Sequence, residues 1–123
     1  MRIDRLIAEN FKGFKHREFA FHPEFNLVVG VNGTGKTSVL DALSVALGGW
    51  FLGLRGYDSR PIRPHEVLLA IFEVAKAFKP PRAPDRNAYW EAQYPCSIEA
   101  AGYVVGEAIS WRRTLNAPAG RTT

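Results

Sequence analysis

One stretch limits what this chain can be more than any other: Gly30-Val31-Asn32-Gly33-Thr34-Gly35-Lys36-Thr37. It matches the spacing G-x-x-x-x-G-K-[ST] in full, and at average composition a chain of this length meets that pattern by chance about half a per cent of the time. The residue types explain the spacing. Gly30, Gly33 and Gly35 permit left-handed backbone, so successive N–H groups turn inward and form a concave nest for phosphate oxygens. Lys36 then reaches the β- and γ-phosphates as a point charge, Thr37 places its hydroxyl on Mg²⁺, and Ser38 offers a second hydroxyl in the first helical turn. A helix that starts here points its positive dipole end at the same phosphates.

The flanks agree with this reading. Phe25-Asn26-Leu27-Val28-Val29 carries a continuous apolar run, as expected of a strand buried on both faces and ending at Gly30. Lys36 to Leu47 contains Val39, Leu40, Ala42, Leu43, Val45, Ala46 and Leu47, a broad apolar stripe that predicts a mostly buried helix stopped by Gly48-Gly49.

Upstream, Arg2 to Ala8 reads as a first strand ending at Glu9-Asn10, and Phe11-Lys12-Gly13-Phe14 as a turn. Glu18 to Phe21 forms a second strand, antiparallel to the first. Downstream, Trp50 to Tyr57 is an irregular connection. Pro64 suits the first position of a helix over 65–78 that Pro80-Pro81 must stop, and Val67 to Phe72 fits a buried strand equally well. Lys79 to Arg86 is an exposed linker, rich in Pro, Arg and Lys. Pro95 to Ala101 and Glu107 to Leu115 predict a hairpin joined through Gly102 to Gly106, with Ile109, Trp111 and Leu115 on one face. Asn116 to Thr123 has no periodic signal.

Composition narrows the class. At 123 residues, with 46% apolar and 23% charged side chains, the chain has the balance of one small globular domain. Its single cysteine, Cys96, excludes an internal disulfide and reads as a small buried residue rather than a nucleophile. The apolar runs are too short for a membrane span, so the expectation is a soluble, cytoplasmic protein with no membrane partner. The formal charge of +4 favours polyanionic partners such as nucleotides or nucleic acid. His16, His22 and His65 have no spacing that assembles a metal site with Cys96. Trp90 and Trp111 read as core aromatics before base-stacking groups.

Two stretches taken together carry a family resemblance. They are Ile3-Asp4-Arg5-Leu6-Ile7-Ala8-Glu9-Asn10-Phe11-Lys12-Gly13-Phe14 and the run from Phe25 through the glycine loop to Ser38-Val39-Leu40-Asp41-Ala42-Leu43. They resemble the N-terminal lobe of an ABC-type or SMC-like ATPase, especially AAA-family ATPases related to OLD and RecF proteins. Cys96 to Thr123, with Trp111-Arg112-Arg113, is similar to later strands of that lobe. The resemblance implies an α/β P-loop fold in which antiparallel strands join a core strand, phosphate loop and helix. It also implies a phosphate-contacting role for Lys12 and a place near the γ-phosphate for Asn32.

The same resemblance implies parts that this chain does not show. The family carries a lobe-joining glutamine, a serine-glycine-glycine signature, an apolar strand ending in Asp-Glu, and a switch histidine. Gln93 and Glu73 are the nearest imitations of the first and third, and nothing around either fixes the role. Residues 1–123 therefore read as one partial P-loop domain that binds ATP and Mg²⁺. Hydrolysis would need a second ATPase lobe or a homodimer partner, and the parent activity would concern DNA in repair, recombination or antiphage defence. The competing reading is a non-enzymatic basic module that binds nucleic acid or a partner ATPase. A small nucleotide kinase shares the loop, but 123 residues leave little room for its lid and substrate pocket.

Overall fold

The computed structural model describes residues 1–30, 35–52, 55–56, 59–73 and 88–123. A four-stranded antiparallel sheet in the order β2-β1-β5-β6 packs against one helix. Its strands are β1 (Arg2–Phe11), β2 (Phe14–Ala20), β5 (Cys96–Val104) and β6 (Glu107–Leu115), and the helix is α1 (Lys36–Gly48). A separate pair, β3 (Leu69–Glu73) and β4 (Ala88–Ala92), lies between them in sequence. The expected mixed α/β class with an antiparallel portion is present.

Alternation explains the sheet. In β1, Leu6 and Ala8 point to the core while Arg5, Ile7 and Glu9 face away from it, and in β5 the same parity buries Cys96, Ile98 and Ala100. The helix contributes Ala42, Val45 and Ala46 to the same cluster, which Phe11, Ile62, Val67 and Leu115 complete. Alanines on both sides, Ala8 and Ala100 from the sheet and Ala42 and Ala46 from α1, allow the helix to lie close to the strands. Trp111 then ties the two layers, donating its ring N–H to the Ala46 carbonyl at 2.9 Å and meeting Trp50 edge-on at 5.3 Å between centroids. Cys96 is fully buried here, and burial pushes its thiol up to about 12, so it stays an inert thiol.

Both hairpins turn tightly. Lys12-Gly13 closes β1 onto β2, with Phe11 opposite Phe14. Val105-Gly106 closes β5 onto β6, both residues with positive φ, which suits the twist of a two-residue hairpin. The sequence placed that second connection over Gly102 to Gly106, but β5 continues through Gly102 to Val104. Gly102 is a strand residue for a steric reason: a Cβ there would stand 1.8 Å from the Arg2 carbonyl oxygen on β1.

Three other expectations change. Residues 25–29 form no strand: Phe25, Leu27 and Val29 are each more than 70% exposed. A strand buried on both faces needs a hydrogen-bonded neighbour and a covering layer on each side, and among the described residues none is offered to this segment. Helix α1 is buried along one stripe, not mostly, because Leu40 and Leu47 remain exposed; Gly48 and Gly49 keep right-handed dihedrals and lead into a short 3₁₀ turn, Gly49–Phe51.

The third change concerns the helix expected over 65–78. Pro64 does open a helical turn, but it is the single 3₁₀ turn Pro64–Glu66, after which the chain is extended and enters β3. Tertiary pairing overrides local propensity here. Val67 bridges Phe11, and the Leu68 N–H donates to the Asn10 carbonyl at 2.8 Å, which no helical residue 68 could do. The strand half of the buried-strand alternative for Val67 to Phe72 is thus the correct one, although β3 begins at Leu69 and that residue is exposed. The linker expected over 79–86 lies outside the described residues.

The steric account of Gly102 makes a sharp comparison possible. Gly102→Ala should cost about 3 kcal/mol or more, because backbone must move to admit the methyl. Gly13→Ala, which meets nothing within 4 Å, should leave the urea midpoint close to that of the parent. Equal midpoints for the two variants would contradict the close β1–β5 approach.

Candidate nucleotide-phosphate site

The site is built at the start of α1. Gly35 is the residue before the helix and takes a left-handed conformation, φ +95°, that other residues reach only with strain. It also has no room for a side chain, since a Cβ would lie 3.3 Å from the Phe14 ring. The first helical bond, from the Val39 N–H to the Gly35 carbonyl, is 3.1 Å long.

The amides before Val39 receive no side-chain cap, and the first turn holds no acidic residue. Helices usually answer their N-terminal partial charge with an Asp, Glu, Ser or Thr cap. This one begins with a lysine. Lys36 folds its ammonium back onto the Gly30 carbonyl and so joins the two ends of the loop. Thr37 is exposed and Ser38 partly so, both in the first turn. Asn32, Gly33 and Thr34, expected to complete the cradle, lie outside the described residues.

Beside the loop is a cleft of about 320 Å³, walled by Phe14, Phe19, Val28 and Val39, with Arg17 at its side and Gly30, Gly35 and Lys36 at its end. Phe14 and Phe19 meet edge-on at 5.6 Å, and the Arg17 guanidinium sits 5.6 Å from the Phe19 ring centre. Phe14 was visible as part of the turn motif. Its contact with Gly35 and the participation of Arg17 and Phe19 are products of the β1–β2 register and have no local signal.

Lys12 lies in the β1–β2 turn with φ +49° and reaches α1, where its ammonium pairs with the Asp41 carboxylate. Asp41 is one helical turn beyond Thr37, so Lys12 is held on the face of α1 next to the loop. Asp41 is also 3.6 Å from Arg60, which makes a two-armed contact with Glu66 at 3.0 and 2.6 Å. Glu66 is buried, and a further N–H, that of Arg63, donates to it at 3.0 Å. Sequence reasoning found Lys12 and missed Asp41, Arg60 and Glu66, whose partners lie 6 to 29 positions away in the chain. Gln93 is not part of this group: its side chain donates to the Glu91 carbonyl, and its backbone N–H to Leu68. Glu73 ends β3, and its side chain lies outside the described set.

Residues 5–122 match the AAA domain family. The chain belongs to that family. Over 68 residues it is 44% identical to the DNA replication and repair protein RecF of Salmonella typhi, a match covering 55% of this chain and 17% of RecF. Over 47 residues it is 43% identical to the DNA double-strand break repair Rad50 ATPase of Saccharolobus solfataricus, covering 38% of this chain and 5% of Rad50. The chain spans less than a fifth of either relative. These matches bear out the resemblance of this AAA domain to the N-terminal lobe of SMC-like, RecF-related ATPases. No helix among the described residues is long and apolar enough to cross a membrane.

The ionic cluster yields a stability prediction. Glu66→Gln removes the buried charge that the part-buried Arg60 guanidinium pairs with and should destabilise the fold by about 3 kcal/mol in urea denaturation. Glu18→Gln breaks an exposed pair with Arg5 and should leave the midpoint unchanged within error. A Glu66→Gln protein as stable as the parent would show that the cluster is not a structural tie.

Proposed function

We propose that this AAA domain binds ATP·Mg²⁺ in the loop from Gly30 to Thr37, as one lobe of a larger DNA-repair ATPase. The observation that carries the reading is the start of α1. Among the described residues its amides receive no side-chain cap, its first turn holds no acid, and a left-handed glycine and a lysine stand where an external anion would complete the arrangement. The residues fit the nucleotide. Lys36, released from the Gly30 carbonyl, would hold the β- and γ-phosphates, Gly33, Thr34 and Gly35 would present backbone N–H groups, and Asn32 would stand near the γ-phosphate. Thr37 and Ser38 supply hydroxyls in the first turn, Thr37 toward Mg²⁺. When bound, Mg²⁺ neutralises charge on the phosphate oxygens. Lys12, positioned by Asp41, would add a second cation.

A cradle alone does not orient water for attack on the γ-phosphate. Hydrolysis therefore belongs to a state in which a second lobe or a partner chain completes the site. The exposed row Phe25, Leu27 and Val29, adjoining the loop, supports this, since an apolar strip of that kind is suited to burial by another element. The link to DNA repair or recombination rests on the names of RecF and Rad50. The competing reading, a basic module for nucleic acid or a partner ATPase without nucleotide, draws on the +4 charge and uses none of the loop residues.

Calorimetric titration with ATP and Mg²⁺, beside Lys36→Ala and beside GTP, separates the two. Saturable ATP binding weakened at least tenfold by Lys36→Ala is the expected result. Absence of binding in a chain shown to be folded by circular dichroism, or binding indifferent to Lys36→Ala, would overturn the nucleotide reading.

A further inference from the structure

A second basic pocket lies at the other end of α1. The helix has 13 residues, so its C-terminal end is about 20 Å from the glycine loop. There a cavity of about 410 Å³ opens between the segment 59–64 and the tail 120–122, with Arg63, Arg113 and Arg121 in its wall and, among the described residues, no acidic one lining it. Arg63 and Arg121 are exposed, whereas Arg113 is 3% exposed.

Arg113 is the unusual member. One arm of its guanidinium donates to the Val45 carbonyl at 3.2 Å and to the Arg60 carbonyl at 3.4 Å, so it caps the negative end of α1. That cap answers only part of a full charge. Its Nε is buried and has no hydrogen-bond partner, and among the described residues none of the three arginines forms an ion pair. Burial lowers its pKa, the direction expected of a desolvated cation without a counter-charge. A buried guanidinium is costly unless paired. The hydroxyls nearby are already engaged, Ser59 with the Gly48 carbonyl and Thr122 with Ile62, which leaves the arginines to do the recognition.

We propose that Arg63, Arg113 and Arg121 form an anion site that takes a phosphate group, separate from the glycine loop. Three arginines lining one cavity match a dianionic, multi-oxygen ligand better than a single carboxylate. Leu52, Pro61, Ile62 and Pro64 add an apolar stretch of wall that gives room for what the phosphate is attached to. The phosphate comes either free in solution or from a nucleic-acid backbone. The site does not depend on the nucleotide reading, because it uses none of the loop residues.

The test is made on the full chain carrying Lys36→Ala, which weakens the loop as a competing phosphate site. Inorganic phosphate is titrated at constant ionic strength against chloride and followed by tryptophan fluorescence, since Trp111 and Trp50 pack next to the Arg113 stem at Gly49. Saturable binding, weakened at least fivefold by Arg63→Ala and by Arg121→Ala, is expected; both residues are exposed, so both variants should keep the parent circular dichroism spectrum. A short DNA duplex titrated in parallel identifies the source: loss of duplex binding in the same two variants assigns a backbone phosphate, and phosphate binding without duplex binding assigns free phosphate. No saturable response to either ligand, or a response that both variants leave unchanged, would overturn the proposal.

Discussion

The two-armed contact between Arg60 and buried Glu66 is the interaction on which the arrangement of the site depends. Glu66 closes the 3₁₀ turn by accepting from the Arg63 N–H, and its own carbonyl accepts from the Lys12 N–H in the β1–β2 turn. Arg60 extends to Asp41 on α1, and Asp41 holds the Lys12 ammonium. Two cations and two carboxylates thus form a neutral cluster that joins the β1–β2 turn, the helix and the segment before β3. Neutrality matters because Glu66 is buried, and its carboxylate left unpaired would cost several kcal/mol. The cluster also fixes where Lys12 can be, and Lys12 is the only one of its members that the family resemblance associates with phosphate.

Helix α1 carries the consequences in both directions. Its N-terminal end lacks a capping side chain and an acid, and begins at a glycine that Phe14 would not let grow. Its C-terminal end is met by a buried arginine that donates to the Val45 carbonyl. Between the ends, Ala42, Val45 and Ala46 seat the helix on the sheet, and Trp111 bonds to the last of these. A single helix therefore sets the geometry of two basic regions on opposite sides of the fold, one for the proposed nucleotide and one for the proposed phosphate group.

Much of this was legible in the sequence wherever the cause was local. The Lys12-Gly13 turn, the β5–β6 hairpin, the helix after the glycine loop and the buried cysteine each follow from spacing within about ten residues. What escaped notice depends on distant partners. Residues 64–73 carry helix-compatible composition, but bonds to Asn10 and Phe11 draw them into extended structure. Gly102 reads as a turn residue until the Arg2 carbonyl is placed against it. The run 25–29 has the pattern of a strand enclosed on both faces, and such a strand exists only when its neighbours are present. In the site, the loop residues were readable from a motif, whereas Asp41, Arg60 and Glu66 have no pattern in the chain and are united only by folding.

The central claim is that backbone amides of the glycine loop and of the first turn of α1 hold phosphate. Amide hydrogen exchange over residues 30–40, measured with and without ATP and Mg²⁺, tests it most directly. The account predicts slowed exchange at the loop and the first turn of α1, with β5 and β6 unchanged and the effect lost in Lys36→Ala. Unaltered exchange across 30–40 at saturating nucleotide, or protection confined to other segments, would contradict it.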